Sequence, residues 1–254
     1  MKVIISGASS GLGVALARHY AAQGATLGLV ARRRELLQAI AAELSGTFPA
    51  SAASIYVADV RDTHAMQAAA QDFMQRHGCP DIVIANAGVS RGTLTEHTED
   101  SKVFEAILGT NVTGMVNTFQ PFIVPMRTAK QGCLVGIASV AGYRGLPGGS
   151  AYSASKAAAI SYLESLRVEM HGSGVSVITI CPGYIITPLT AKNPYRMPFI
   201  LTAEAAAEKI VGIITRKKLF AVIPWQMAIV ARVLKMLPNF LYDRLFAKAP
   251  RKPR

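Results

Sequence analysis

Short apolar runs recur along this chain at residues 3–5, 26–30, 54–58, 81–85, 133–138, 175–180 and 219–223. Between them, residues 12–23, 33–44, 63–77, 100–128, 152–171 and 203–216 carry apolar side chains at helical spacing. A strand, a helix and a further strand, repeated, bury both strand faces when the strands lie parallel and helices cover each side. The expected fold class is therefore α/β, a doubly wound parallel sheet in a single domain spanning residues 1–223. A length of 254 residues suits one such domain, and 51% hydrophobic against 17% charged residues supplies its core. No linker, low-complexity stretch or repeat beyond the alternation itself divides the chain.

The first strand runs directly into Ser6-Gly7-Ala8-Ser9-Ser10-Gly11-Leu12-Gly13. Glycines so placed let a backbone approach a pyrophosphate, whose charge is favoured at the start of the following helix. Glycines also simply make turns, so it is the position after the first strand, as in a Rossmann-like domain, that gives the motif meaning. In such domains an acid about 20 residues further on selects NAD, whereas an Arg accommodates the extra phosphate of NADP. Here Ala31 stands near the acid's place, with Arg32 and Arg33 after it. Two guanidiniums at a helix start are unfavourable alone and suit an anion, so NADP(H) is the expected cofactor.

Tyr152 and Lys156 lie four residues apart, on one face of a helix. A nearby ammonium favours a phenolate and would bring an ordinary tyrosine pKa of about 10 toward neutrality, making a proton carrier. Taken alone, the spacing also fits an exposed pair. Together with the glycine turn, Asn86-Ala87-Gly88 and Ser139, the Tyr152-x-x-x-Lys156 pair resembles the short-chain dehydrogenase/reductase family over about residues 1–223. The resemblance implies a hydride-transferring enzyme with a tetrad of Asn111, Ser139, Tyr152 and Lys156. It further implies that Asp59 and Val60 lie beside the adenine, that Asn86, Ala87 and Gly88 support the cofactor, and that Pro182, Gly183, Ile185 and Thr187 pass the nicotinamide. In that scheme Ser139 and Tyr152 hold a substrate carbonyl oxygen, Lys156 holds the cofactor ribose, and Asn111 fixes a water beside Lys156. Ser10 is a departure, because NADP-dependent relatives often carry a basic residue there; the phosphate preference then rests on Arg32 and Arg33.

Residues 184–203 occupy the place of a substrate lid, and Leu189, Tyr195, Met197, Pro198, Phe199 and Ile200 suit an apolar or lipid-like carbonyl or alcohol substrate. Residues 224–254 form a basic, amphipathic extension, in which Met227, Val230, Leu234 and Leu237 line one side and Arg232 and Lys235 another. Its longest charge-free approach, residues 219–231, contains Pro224 and falls short of the roughly 20 residues that span a bilayer. Contact with an anionic membrane surface, a subunit interface in a homo-oligomer, and packing over the substrate pocket are the three roles open to it.

The net charge of +12 raises the question of nucleic acid. Seven Lys or Arg and one Asp fall within residues 225–254, so half of the excess sits in one tail rather than across a face, and no nucleic-acid partner is expected. Cys79, Cys133 and Cys181 are odd in number and far apart, as in a reduced, cytoplasmic protein. The apolar start resembles a signal peptide only until Gly7, Ser9, Ser10, Gly11 and Gly13 interrupt it. The five histidines lack metal-ligand spacing, so no metal is expected. A nucleotide-sensing protein on this fold would not need Tyr152 and Lys156, and an adaptor would need basic and aromatic residues spread over a face; the enzyme is the expected reading.

Overall fold

The computed structural model describes residues 1–191 and 193–253. Lys192, in the expected lid, and Arg254, in the expected basic extension, lie outside the described residues.

Seven strands form one parallel sheet: β1 (Lys2–Ser6), β2 (Thr26–Ala31), β3 (Ala52–Val57), β4 (Ile82–Ala85), β5 (Gly132–Ile137), β6 (Val175–Pro182) and β7 (Phe220–Ile223). Their spatial order is β3-β2-β1-β4-β5-β6-β7. Val3 of β1 pairs with Leu27 on one side and Ile82 on the other, and Leu134 of β5 pairs with Val177 of β6. The chain builds outward from β1 in one direction, then returns and builds outward in the other. That reversal leaves a crevice between β1 and β4 at the carboxyl ends of the strands, where open α/β sheets bind ligands.

The helices are α1 (Leu12–Ala21), α2 (Arg34–Thr47), α3 (Thr63–His77), α4 (Asp100–Leu108), α5 (Gly114–Ala129), α6 (Ser150–Glu169), α7 (Ala203–Thr215), α8 (Trp225–Met236) and α9 (Asn239–Phe246). Alternation along β1 divides the interior into two cores. Val3 and Ile5 face one, with Leu16 of α1, Leu37 of α2 and Ile210 of α7; Ile4 faces the other, with Phe73 of α3, Phe119 of α5 and Leu163 of α6. Each buried side chain of this size contributes about 1.5–3 kcal/mol, so the period-two pattern fixes which face each strand presents.

One expected element is divided. The helical stretch expected over 100–128 is α4 and α5 joined by a π-helical turn, Gly109–Thr113. Gly114 packs so tightly on Val60 that an added Cβ would lie 2.4 Å from its Cγ2. The widened turn contains Asn111, which is completely buried. Such bulges are frequent at functional sites because the extra residue re-aims a side chain without ending the helix.

Candidate active site

Gly7 and Gly11 adopt the left-handed region, with φ of 69° and 54°, which favours residues without a Cβ. Gly13 is needed for a different reason, since a Cβ there would come 2.2 Å from the Gly7 carbonyl oxygen. The N-terminus of α1 has Gly11 as its cap and receives no side-chain hydrogen bond. Backbone donors and the positive helix end therefore face the crevice, an arrangement suited to a pyrophosphate.

Asn86 holds this turn from the neighbouring strand. Its Nδ2 donates to the carbonyls of Ser6 at 3.1 Å and Gly7 at 3.3 Å, while its own N–H and that of Ala87 donate to Ser6 Oγ. Arg33 reaches across and donates to Ser9 Oγ at 3.0 Å and Ser10 Oγ at 3.2 Å. Arg32 approaches Asp59 at 3.8 Å, and Arg61 pairs with the same carboxylate at 2.7 Å. The Arg61 hydrogen bond holds the Asp59 carboxyl below its ordinary range, against the opposing effect of partial burial. Three guanidiniums and one carboxylate thus leave this end positive. Arg61 was not singled out in the sequence; its signal was its place two residues after Asp59.

At the opposite end, β5 delivers Ser139, whose Oγ accepts from the Ala141 N–H at 3.1 Å. Helix α6 carries Tyr152 and Lys156 beneath it. Lys156 Nζ donates to the Ile137 carbonyl at 2.8 Å and lies 5.8 Å from the centre of the Tyr152 ring. Burial lowers the Lys156 pKa to about 8 and pushes Tyr152 upward, with the Ser139 hydroxyl opposing the latter. The expected depression of Tyr152 by Lys156 is therefore not the dominant effect. Desolvation disfavours the charged form of each group and is the largest cause for both.

Asn111 accepts from the Val89 N–H at 2.8 Å through Oδ1, and its Nδ2 donates to the Val89 carbonyl and to Ser155 Oγ. Both amide protons are committed to Val89 and Ser155. A Cβ built on Gly88 would lie 3.4 Å from Asn111 Oδ1 and 3.8 Å from Lys156 Nζ, so Gly88 faces both side chains at once.

A cavity of about 400 Å³ runs between these ends. It is lined by Gly7, Ser9, Ser10, Gly11, Leu12, Arg32, Arg33, Asp59, Val60, Asn86, Ala87, Gly88, Ser139, Tyr152, Lys156, Pro182, Gly183, Ile185 and Thr187. Gly13 and Asn111 act from behind the wall, through packing and hydrogen bonds. The long, polar-ended shape and the glycine cradle fit a dinucleotide.

A second cavity of about 300 Å³ adjoins the first and shares Ser139, Tyr152, Gly183, Leu189 and Thr190 with it. Leu189 and Tyr195 of the lid reach this cavity, whereas Phe199 and Ile200 point to solvent. A bridge between Ile185 and Leu201 ties the two ends of the lid together. The opposite wall comes from the C-terminus: Phe246, Ala249, Pro250 and Lys252. Tyr242 fastens that wall by donating from its hydroxyl to the Gly145 carbonyl, stacking on Phe246 and lying under Arg144. Pocket packing, one of the three roles open to the extension, thus describes residues 242–252. The apolar side anticipated for α8 also turns inward at Met227, which meets Gly183.

Residues 1–197 match the short chain dehydrogenase family. The chain is 39% identical to an uncharacterized oxidoreductase of Myxococcus xanthus over 94% of each chain. Among solved structures it resembles levodione reductase, with a TM-score of 0.80 and 27% identity over 89% of this chain and 97% of that one. It also resembles a serine dehydrogenase complexed with NADP+, with a TM-score of 0.78 and 26% identity over 87% and 92% of the two chains. The two adjoining cavities, with Tyr152 and Ser139 at their junction, are thus found in a chain that belongs to the short-chain dehydrogenase/reductase family of oxidoreductases.

Proposed function

We propose that this chain interconverts a carbonyl compound and its alcohol using NADP(H). The observation that carries the reading is the junction of the two cavities: Ser139 and Tyr152 border both, so a molecule in either meets the same two hydroxyls. When bound, the nicotinamide cofactor supplies or accepts the hydride. Gly7, Gly11 and the start of α1 hold its pyrophosphate; Asp59 and Val60 flank the adenine end; Pro182, Gly183, Ile185 and Thr187 line the nicotinamide end. Arg32 and Arg33 favour the additional phosphate of NADP, and the serine dehydrogenase relative solved with NADP+ supports that choice.

In reduction, Ser139 and Tyr152 donate hydrogen bonds to the substrate carbonyl oxygen, where negative charge develops, and Tyr152 gives up its proton. A Tyr152 pKa raised by burial keeps that proton in place until charge appears. Lys156 supplies positive charge behind Tyr152, and Asn111 fixes the loop at Val89 and offers Oδ1 to a water. The second cavity is walled by Val140, Ala141, Leu146, Pro147 and Phe246, which supports an apolar or lipid-like substrate body.

The test is a panel of aldehydes, ketones and long-chain 3-keto compounds, followed by loss of NADPH absorbance. Reduction of at least one class, faster with NADPH than with NADH, is expected. Binding of NADPH without turnover on any of them would replace the enzyme with a nucleotide sensor.

A second reading concerns the outer face of α8 and α9. Trp225, Met236 and Phe240 are 68%, 82% and 76% exposed, and Ile229 and Val233 continue the same face. Arg232, Lys235, Arg244 and Lys248 flank it, a combination suited to the surface of an anionic membrane. No helix among the described residues is long and apolar enough to cross one. The full chain should sediment with anionic vesicles at low salt and not with neutral ones. A stable homo-oligomer that buries Trp225 and ignores vesicles would assign the face to a second copy instead.

A further inference from the structure

The substrate cavity has an uneven charge distribution. Among the described residues that line it there is no Asp or Glu, whereas Arg196 and Lys252 both contribute. Lys252 follows Phe246, Ala249 and Pro250, which line the same cavity. Its backbone is held there by a hydrogen bond from the Gly92 N–H to the Pro253 carbonyl, and Gly92 lies so close to the Lys252 carbonyl that a Cβ would clash with it. Its Nζ donates to Ser90 Oγ at 2.9 Å and to the Leu189 carbonyl at 3.2 Å. An ammonium has three protons. The third has no acceptor, and the group pairs with no carboxylate, among the described residues.

We propose that Lys252 is a specificity-determining residue that binds the anionic end of the substrate, so that the preferred substrates are apolar carbonyl compounds bearing a carboxylate or a phosphate. This rests on the carbonyl reduction proposed above and names the substrate class for that same site. Ser139 and Tyr152 mark where the carbonyl sits, and Lys252 lines the same cavity. A volume of about 300 Å³ corresponds to on the order of ten water-sized groups, enough for a short apolar body between the two. Burial lowers the Lys252 pKa, because desolvation disfavours an ammonium whose partners among the described residues are neutral; an arriving anion relieves that cost. Arg196, exposed at the rim, adds attraction over a longer range.

The opposing interpretation is that Lys252 is a clamp, pinning tail and lid through Ser90 and Leu189. A set of matched aldehydes separates the two: para-formylbenzoate, its neutral methyl ester, and para-formylphenyl phosphate, each reduced with NADPH. The ratio of kcat/KM for acid over ester should be roughly ten- to hundredfold in the unaltered protein, as for one charge-assisted hydrogen bond. In Lys252→Met it should collapse toward one through a rise in KM for the acid, and in Lys252→Arg it should be largely retained. Preference for the phosphate over the carboxylate assigns phosphorylated carbonyls, and the reverse assigns keto or aldehyde acids. Equal use of acid and ester, reduction of neutral carbonyls alone, or a ratio unchanged in Lys252→Met would overturn the proposal while leaving carbonyl reduction intact. Failure to consume NADPH with every carbonyl offered would instead remove the reading on which it rests.

Discussion

The two cavities that meet at Tyr152 are built in different ways. The cofactor cavity is a property of the sheet: its wall comes from the ends of β1, β2, β3, β4, β5 and β6 and the turns that follow them, and at Gly7 and Gly13 the crowding is backbone against backbone. The substrate cavity is a property of loops and tail: its described walls, within residues 139–149, 184–196 and 246–252, are joined chiefly by side-chain contacts such as Lys252 Nζ on the Leu189 carbonyl. A wall made of backbone admits few residue types, and glycine is the extreme case. One made of side chains admits many, so it is free to vary with the ligand.

The largest effect should follow from breaking the junction itself. Tyr152→Phe removes one hydroxyl at the border of both cavities and leaves the apolar ring in place. Turnover should fall by about 10²- to 10⁴-fold, with NADPH affinity measured by fluorescence titration nearly unchanged. A variant that keeps ordinary turnover would show that the proton comes from elsewhere, and the two cavities would then be neighbours without a shared chemistry.

A smaller effect should be confined to the cofactor side. Arg33 donates to Ser9 and Ser10, which holds its guanidinium over the glycine turn. Arg33→Ala should narrow the preference for NADPH over NADH by about tenfold, the scale of one charge-assisted contact, while kcat with saturating NADPH changes little. Arg32→Ala should narrow it less, since Asp59 already draws on that charge at 3.8 Å. Equal affinities for the two cofactors in the unaltered protein would remove the argument from Ala31, Arg32 and Arg33.

The same contrast explains what was legible in the sequence. The strand and helix alternation, the glycine turn, and the Tyr152 and Lys156 pair are local patterns, in which a few adjacent residues determine the geometry. The π-helical turn at Gly109–Thr113 was not legible, because apolar spacing continues through it, and the Val60 that Gly114 packs on beside it is distant in sequence. Of the apolar residues in the expected lid, Leu189 and Tyr195 line the cavity while Phe199 and Ile200 do not; spacing alone does not orient a loop. The tail was hardest. Met227, Tyr242 and Lys252 find partners near residues 183, 145 and 90, separations for which no periodicity gives a signal.

The smallest effect should come from the tail's fastening, and it tests whether the two cavities are independent. Tyr242 is the one buried residue of α9, and its hydroxyl bonds the Gly145 carbonyl in the loop that also contributes Leu146 and Pro147 to the cavity wall. Tyr242→Phe keeps the ring that stacks on Phe246 and lies under Arg144, and removes only the hydrogen bond. Loss of one such bond costs about 0.5–1.5 kcal/mol, which for a chain of this length lowers Tm by roughly 2–4 °C per kcal/mol. Most of that cost falls on the docking of the tail, because the sheet and both cores are untouched. KM for the carbonyl substrate should therefore rise about two- to tenfold while the Kd for NADPH stays constant. If NADPH affinity falls in parallel, the tail supports the cofactor side as well, and the division between a wall of backbone and a wall of side chains does not hold.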